Sequence, residues 1–216
     1  MRTERIEKTE SFLREKLSSG EYMRGNPAAL SYRLEHSYRV ANIGRQIACE
    51  EAFDEEAMII ACLLHDVSYC ETFDGENGWR EHGRRSAAIA RPFLASLGLE
   101  PRLIHEISFG IAIHVDDESD FPGERTPFAL TVGDADNLDR FDVYRIYERL
   151  EADRFSSMAL AEKTEYVARR LDGLAKLYDV PMATETARRI WTERLVFAEQ
   201  FYKKLLSQLL TSEKLL

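Results

Sequence analysis

The 216-residue sequence predicts an all-α fold. Three observations carry that expectation. Apolar residues recur at helical period in nearly every long segment, and no stretch alternates as a half-buried strand does. Glycine and proline also punctuate several of the periodic segments. Gly98 and Pro101 separate two neighbours, and Pro122-Gly123 and Pro181 mark further breaks.

Taken in order, the pattern places helices at about 3–18, 28–51, 55–68, 80–97, 101–114, 126–140, 142–153, 158–178 and 184–211. In the second, Val40, Ile43 and Ile47 share a face. The third is the run AMIIACLL, too apolar to lie anywhere but inside. Two connections stand out: 69–79, YCETFDGENGW, either lines a pocket or is a solvated connection, and 115–125, VDDESDFPGER, is acidic. Val167, Leu171, Leu174 and Tyr178 line one face of the eighth helix. Ala187, Trp191, Leu195, Ala198, Tyr202, Leu205 and Leu209 line the ninth. Such stripes are scaffold, either core or the seam of a homodimer. The expected organisation is an N-terminal helix and linker at 1–29, a core at 30–141, and C-terminal helices at 142–216 packed on that core as one domain.

The composition excludes several roles. Apolar residues make up 44%, as in an ordinary globular protein, and the net charge is −9 without any Lys/Arg-rich run. That field opposes duplex nucleic acid, although a local basic pocket can still hold one nucleotide. The N-terminal MRTERIEKTE lacks the apolar core of a signal peptide, and no apolar run approaches the ~20 residues of a membrane span. Cys49, Cys62 and Cys70 form no CxxC pair and no even set; Cys49 and Cys62, in apolar helical runs, are expected as buried thiols. A reduced, cytoplasmic location without a membrane partner is the expectation.

The chemistry lies in polar groups on inward faces. His36 aligns with Val40, Ile43 and Ile47. His65 ends the most apolar helix, and Asp66 follows it at once. His82 aligns with Ser86, Ile89 and Phe93, His114 with Ile107 and Ile111, and Asp136 lies one turn past Val132. A buried polar group is costly unless paired or metal-bound. One such histidine is commonly a hydrogen-bonded core residue, but four with two aspartates are satisfied together by a shared cation. Imidazole and carboxylate without thiolate suit manganese, iron, cobalt, nickel or zinc. Six ligands exceed one tetrahedral site, so the surplus implies two ions, or one ion with supporting groups. His105 lies nine residues before His114, about 180° around an unbroken helix, unless Gly110 bends it. It is expected as a surface histidine.

The series His36, His65-Asp66, His82, His114, Asp136 resembles the HD-domain superfamily of metal-dependent phosphohydrolases. The matching text is EHSYRVANIGRQIA, AMIIACLLHDVSY, EHGRRSAAIA, IAIH and DADNLDRF, over residues 30–141, the metal-binding core. His82 and His114 further resemble the subset that binds two metals. The resemblance implies an HD-like helical bundle with a C-terminal helical extension. It implies that His36, His65, Asp66 and Asp136 hold one divalent ion (Mn, Fe, Mg, Co, Ni or Zn), and that Asp66 bridges to a second held by His82 and His114. Asp66, His82 and His114 are then the catalytic residues. The context Ala135-Asp136-Asn137-Leu138-Asp139 favours Asp136 over Asp134 as the last ligand; Asp134 would support the site or cap a helix.

The implied reaction is hydrolysis of a phosphomonoester or pyrophosphate in a small phosphorylated substrate, a nucleotide by expectation, on two cations ~3.5–4 Å apart. Arg39, Arg84 and Arg85 stand beside the ligands as phosphate clamps, or as ordinary surface arginines. Two rivals share the resemblance: a di-iron HD-type oxygenase, and a non-catalytic binding or signalling module. The complete ligand set counts against the module and does not separate hydrolase from oxygenase.

Overall fold

The computed structural model describes residues 2–73 and 78–212, so residues 74–77 of the first expected loop lie outside the described residues. The chain divides into two compact units, residues 1–137 and 138–216. Every regular element among the described residues is helical.

The first unit is built from α1 (Glu4–Ser19), α2 (Glu21–Gly25), α3 (Pro27–Glu50), α4 (Glu55–Leu64), α5 (His82–Ser96), α6 (Pro101–Ile113) and most of α7 (Pro127–Asp139). Side-chain caps set several starts: Thr3 accepts from Ile6 N, Asn26 from Ala29 N with Pro27 following, and Asp54 from Ala57 N. Helix α4 is the centre of the core. Met58, Ile60, Leu63 and Leu64 are at most 1% exposed, and burying such a side chain stabilises by about 1.5–3 kcal/mol. It packs against α3, α6 and α1, and α5 packs against α6.

Two glycines set how closely these helices approach. A Cβ on Gly44 of α3 would lie 2.5 Å from the Cys62 sulfur of α4. One on Gly83 of α5 would lie 2.5 Å from the Ala112 carbonyl of α6. Helix α6 runs unbroken through Gly110, so His105 and His114 point apart, and His105 lies half-buried against the Phe121 ring at 5.5 Å.

The second unit contains α8 (Val143–Ala152), a 3-10 turn at Phe155–Ser157, α9 (Leu160–Ala175) and α10 (Glu185–Leu210). Helices α9 and α10 pack together through Val167 and Leu174 and through Ala187, Trp191, Leu195, Ala198 and Tyr202, all buried. Trp191 Nε1 donates to the Leu177 carbonyl at 2.9 Å, and Arg194 donates to the Leu138 carbonyl at 2.6 Å.

Three expectations change. Helix α4 stops at Leu64 instead of running to 68, and a 3-10 turn at Val67–Cys70 follows. A short α2 occupies what was expected as linker. Cys49 is exposed, because it sits two residues past Ile47, on the opposite side of α3 from the buried stripe; Cys62 is buried. No helix among the described residues is long and apolar enough to cross a membrane.

Candidate metal centre

Three of the four histidines expected as ligands are held by one device. His65 Nδ1 bonds the Cys62 carbonyl at 2.7 Å, His114 Nδ1 bonds the Ile111 carbonyl at 2.7 Å, and His82 Nδ1 bonds the Trp79 carbonyl. Each carbonyl lies three residues before its histidine. A carbonyl only accepts, so each Nδ1 carries a proton and each ring turns its Nε2 away from the backbone, toward the cluster. At His65 the same bond explains the end of α4. The imidazole takes the Cys62 carbonyl that the next helical N–H would use, and Asp66 leaves the helix with φ −109° and ψ 15°.

The Nε2 atoms converge. His65 Nε2 lies 3.2 Å from His36 Nε2, and His82 Nε2 lies 3.1 Å from His114 Nε2. Asp66 stands between the pairs. Its Oδ2 is 3.3 Å from both His36 and His65, while its Oδ1 is 3.1 Å from His82 and 3.8 Å from His114. Asp136 Oδ1 closes the first half, 3.1 Å from His36 and 3.8 Å from His65. Three overlapping triads result: His36, His65 and Asp66; His65, His114 and Asp136; Asp66, His82 and His114. Within each, the ligand atoms lie within 4.8 Å of one another. All six side chains expected as ligands are therefore brought together, within the first unit. Asp134 is buried two residues away on α7 and belongs to none of these triads.

The set fits a divalent metal on its own chemistry. Two imidazole nitrogens at 3.1–3.2 Å need a proton or a metal cation between them, four such nitrogens meet two carboxylates here, and Asp66 Oδ1 is buried without a hydrogen-bond partner. The carboxylates are charged as ligands must be. Burial penalises the Asp66 charge, yet the His65 imidazole and the Arg33 guanidinium hold it well below the usual carboxylate range. Asp136 is lowered in the same way, with burial outweighed by His36 and His65.

Arg33 escapes sequence reasoning. It precedes His36 by one turn of α3, donates through Nη1 to Asp66 Oδ2, and lies 3.4 Å over the Tyr69 ring. Tyr69 in turn stands 5.2 Å from the His82 ring and 5.0 Å from Phe73. The available signal was an arginine three positions before a ligand histidine, on the same helix face. Of the arginines expected to clamp phosphate, Arg84 reaches both Asp116 oxygens, and Arg85 lies 3.8 Å from Glu71 and from Glu81. Arg39 is half-buried on α3.

The family model described as HD domain matches residues 33–140, which include all six clustered side chains. Among solved structures, the chain is similar to a predicted HD superfamily hydrolase from an uncultured Thermotogales bacterium. The match has a TM-score of 0.58 at 22% identity and covers 90% of this chain and 91% of that one, a likeness of fold. No curated protein matches.

Proposed function

The chain belongs to the HD-domain family, and on that premise we propose that it is a metal-dependent phosphohydrolase cleaving a phosphomonoester or pyrophosphate bond in a small nucleotide substrate. The observation that carries this reading is the convergence of four imidazole Nε2 atoms on two carboxylates, with Asp66 facing both halves. His36, His65, Asp66 and Asp136 would hold one divalent ion; His82, His114 and the other oxygen of Asp66 would hold a second. Bound there, divalent cations supply Lewis acidity toward phosphoryl oxygens and activate water near neutral pH.

The protein's own contribution is preorganisation. Backbone carbonyls fix the tautomers of His65, His82 and His114, so their rings need no reorientation. Arg33 engages Oδ2 of Asp66 and leaves Oδ1 turned toward His82 and His114. The half-buried Tyr69 and Phe73 rings stand beside His82 at 5.2 and 6.3 Å. The solved relative is described as a predicted hydrolase, which supports hydrolysis over other chemistry of the same ligands.

Phosphate hydrolysis needs no change of oxidation state, whereas an oxygenase needs iron and oxygen. Manganese-loaded protein is expected to release phosphate or pyrophosphate from members of a nucleotide panel in an oxygen-free chamber. Absence of release across the panel, together with substrate-dependent oxygen uptake by iron-loaded protein, would transfer the site to oxygenase chemistry.

A further inference from the structure

The residues His82-Gly83-Arg84 open α5 against the end of α6, and each does a separate task there. His82 brings its Nε2 to 3.1 Å from His114 Nε2. Gly83 admits the α6 backbone. A Cβ in its place would meet the Ala112 carbonyl at 2.5 Å, and the Ile111 carbonyl and His114 Nδ1 each at 3.1 Å. Arg84 crosses to the segment beyond α6, where its Nη1 donates to Asp116 Oδ1 at 3.1 Å and Oδ2 at 2.9 Å, with Asp120 3.8 Å from its Nε. Arg84 and Asp116 each lie two residues past a clustered histidine, His82 and His114. Their side chains are 18% and 25% exposed, so water screens the pair only in part.

This contact matters because it ties together the two segments that carry the histidines. His82 is tied to Asp66 from the opposite side. Buried Ser68, two residues past Asp66, donates its hydroxyl to the His82 carbonyl at 2.9 Å, and Ser86 Oγ donates to Ser68 Oγ at 2.9 Å. His114 has its own anchor on Ile111, within α6. The spacing between the two imidazoles is thus set by how α5 docks on α6, and the Arg84–Asp116 bridge spans that docking.

We propose that Arg84 and Asp116 form a positioning pair that holds His82 and His114 at ligand spacing and thereby governs occupancy of the Asp66–His82–His114 half of the centre. This rests on the two-ion reading given above. Arg84 acts through the histidines and is not committed to substrate phosphate.

The experiment measures binding of manganese to full-length protein, with stoichiometry and affinity resolved for each ion, in wild type, Arg84→Met, Asp116→Asn and the charge-reversed double variant Arg84→Asp/Asp116→Arg. Wild type is expected to bind two ions. Each single variant should keep one at wild-type affinity and bind the other about 10–100-fold more weakly, as loss of outer support for ligands does. The reversed pair should recover much of that loss. Two wild-type ions with unchanged binding in both single variants would overturn the positioning role while leaving the two-ion reading intact. A single ion in wild type would overturn the two-ion reading, and this proposal with it. Thermal melting is recorded beside each isotherm. Loss of both ions together, or a lowered melting temperature with both ions retained, would make the pair a general structural brace and overturn the proposal.

Discussion

Asp134 and Asp136 sit two positions apart on α7, about 200° around the helix, so only one can face the histidines. The geometry gives that face to Asp136, 3.1 Å from His36 Nε2. Asp136→Ala is accordingly expected to remove metal and activity together, whereas Asp134→Ala keeps most of its metal; elemental analysis of the two purified variants, with phosphate-release assays alongside, checks this. A reversed result would shift the last ligand by two residues. The six clustered side chains were legible in sequence because imidazoles and carboxylates at helical offsets from Ile and Val are costly to bury for any other purpose. Arg33 was not legible. An arginine one turn before a histidine reads as an ordinary surface residue, and its placement on Asp66 depends on Tyr69, which comes from a turn 36 residues downstream. The carbonyl anchors were hidden for a similar reason: periodicity locates a histidine's face but not which ring nitrogen its own backbone will take.

At the scale of elements, helix existence followed from period and punctuation, and the misses lie where side chains compete with the backbone. The expected helix through residue 68 breaks because the His65 ring captures the Cys62 carbonyl, a local bond that no apolar pattern encodes. Short α2 lacks a periodic stripe altogether; among its five residues, Met23 is the buried one. In the second unit, the Tyr166 hydroxyl of α9 donates to Asp153 just past α8 at 2.8 Å. Burial first, and then that bond to a carboxylate, push the Tyr166 phenol up to about 12 from an ordinary 10. The folded state therefore favours the protonated phenol. Its stabilising contribution is complete below pH 10 and disappears as pH rises through 12. Urea unfolding of Tyr166→Phe beside wild type should show a deficit of about 1 kcal/mol at neutral pH, the usual worth of such a bond. That deficit should close between pH 10 and 12. A deficit that persists unchanged at pH 12 would assign the effect to packing instead of the phenol proton.

For the whole molecule, the centre lies within residues 1–137, and its six side chains come from α3, the end of α4, α5, the end of α6 and α7. A cation bound there is bound by the folded first unit alone, so chelation should lower its thermal stability by mass action. Free metal at 1,000 times its Kd stabilises by about 4 kcal/mol. Differential scanning calorimetry with chelator, and then with graded manganese, should show a transition that climbs with metal concentration. A transition indifferent to manganese, iron and zinc would count directly against the metal centre.

The two halves of the centre close loops of different size. His36 and Asp136 are 100 residues apart in the chain, whereas Asp66 and His114 are 48 apart. Each doubling of a loop adds about 0.6 kcal/mol of closure entropy, so the Asp66–His82–His114 half is the cheaper to assemble from an extended chain. It is also complete as soon as α6 has formed, while the other half waits for α7. During vectorial synthesis Asp66, His82 and His114 all emerge ahead of Asp136. The His36–Asp136 contact, which spans the longer loop and requires α7, is expected to form in the later, slower part of folding.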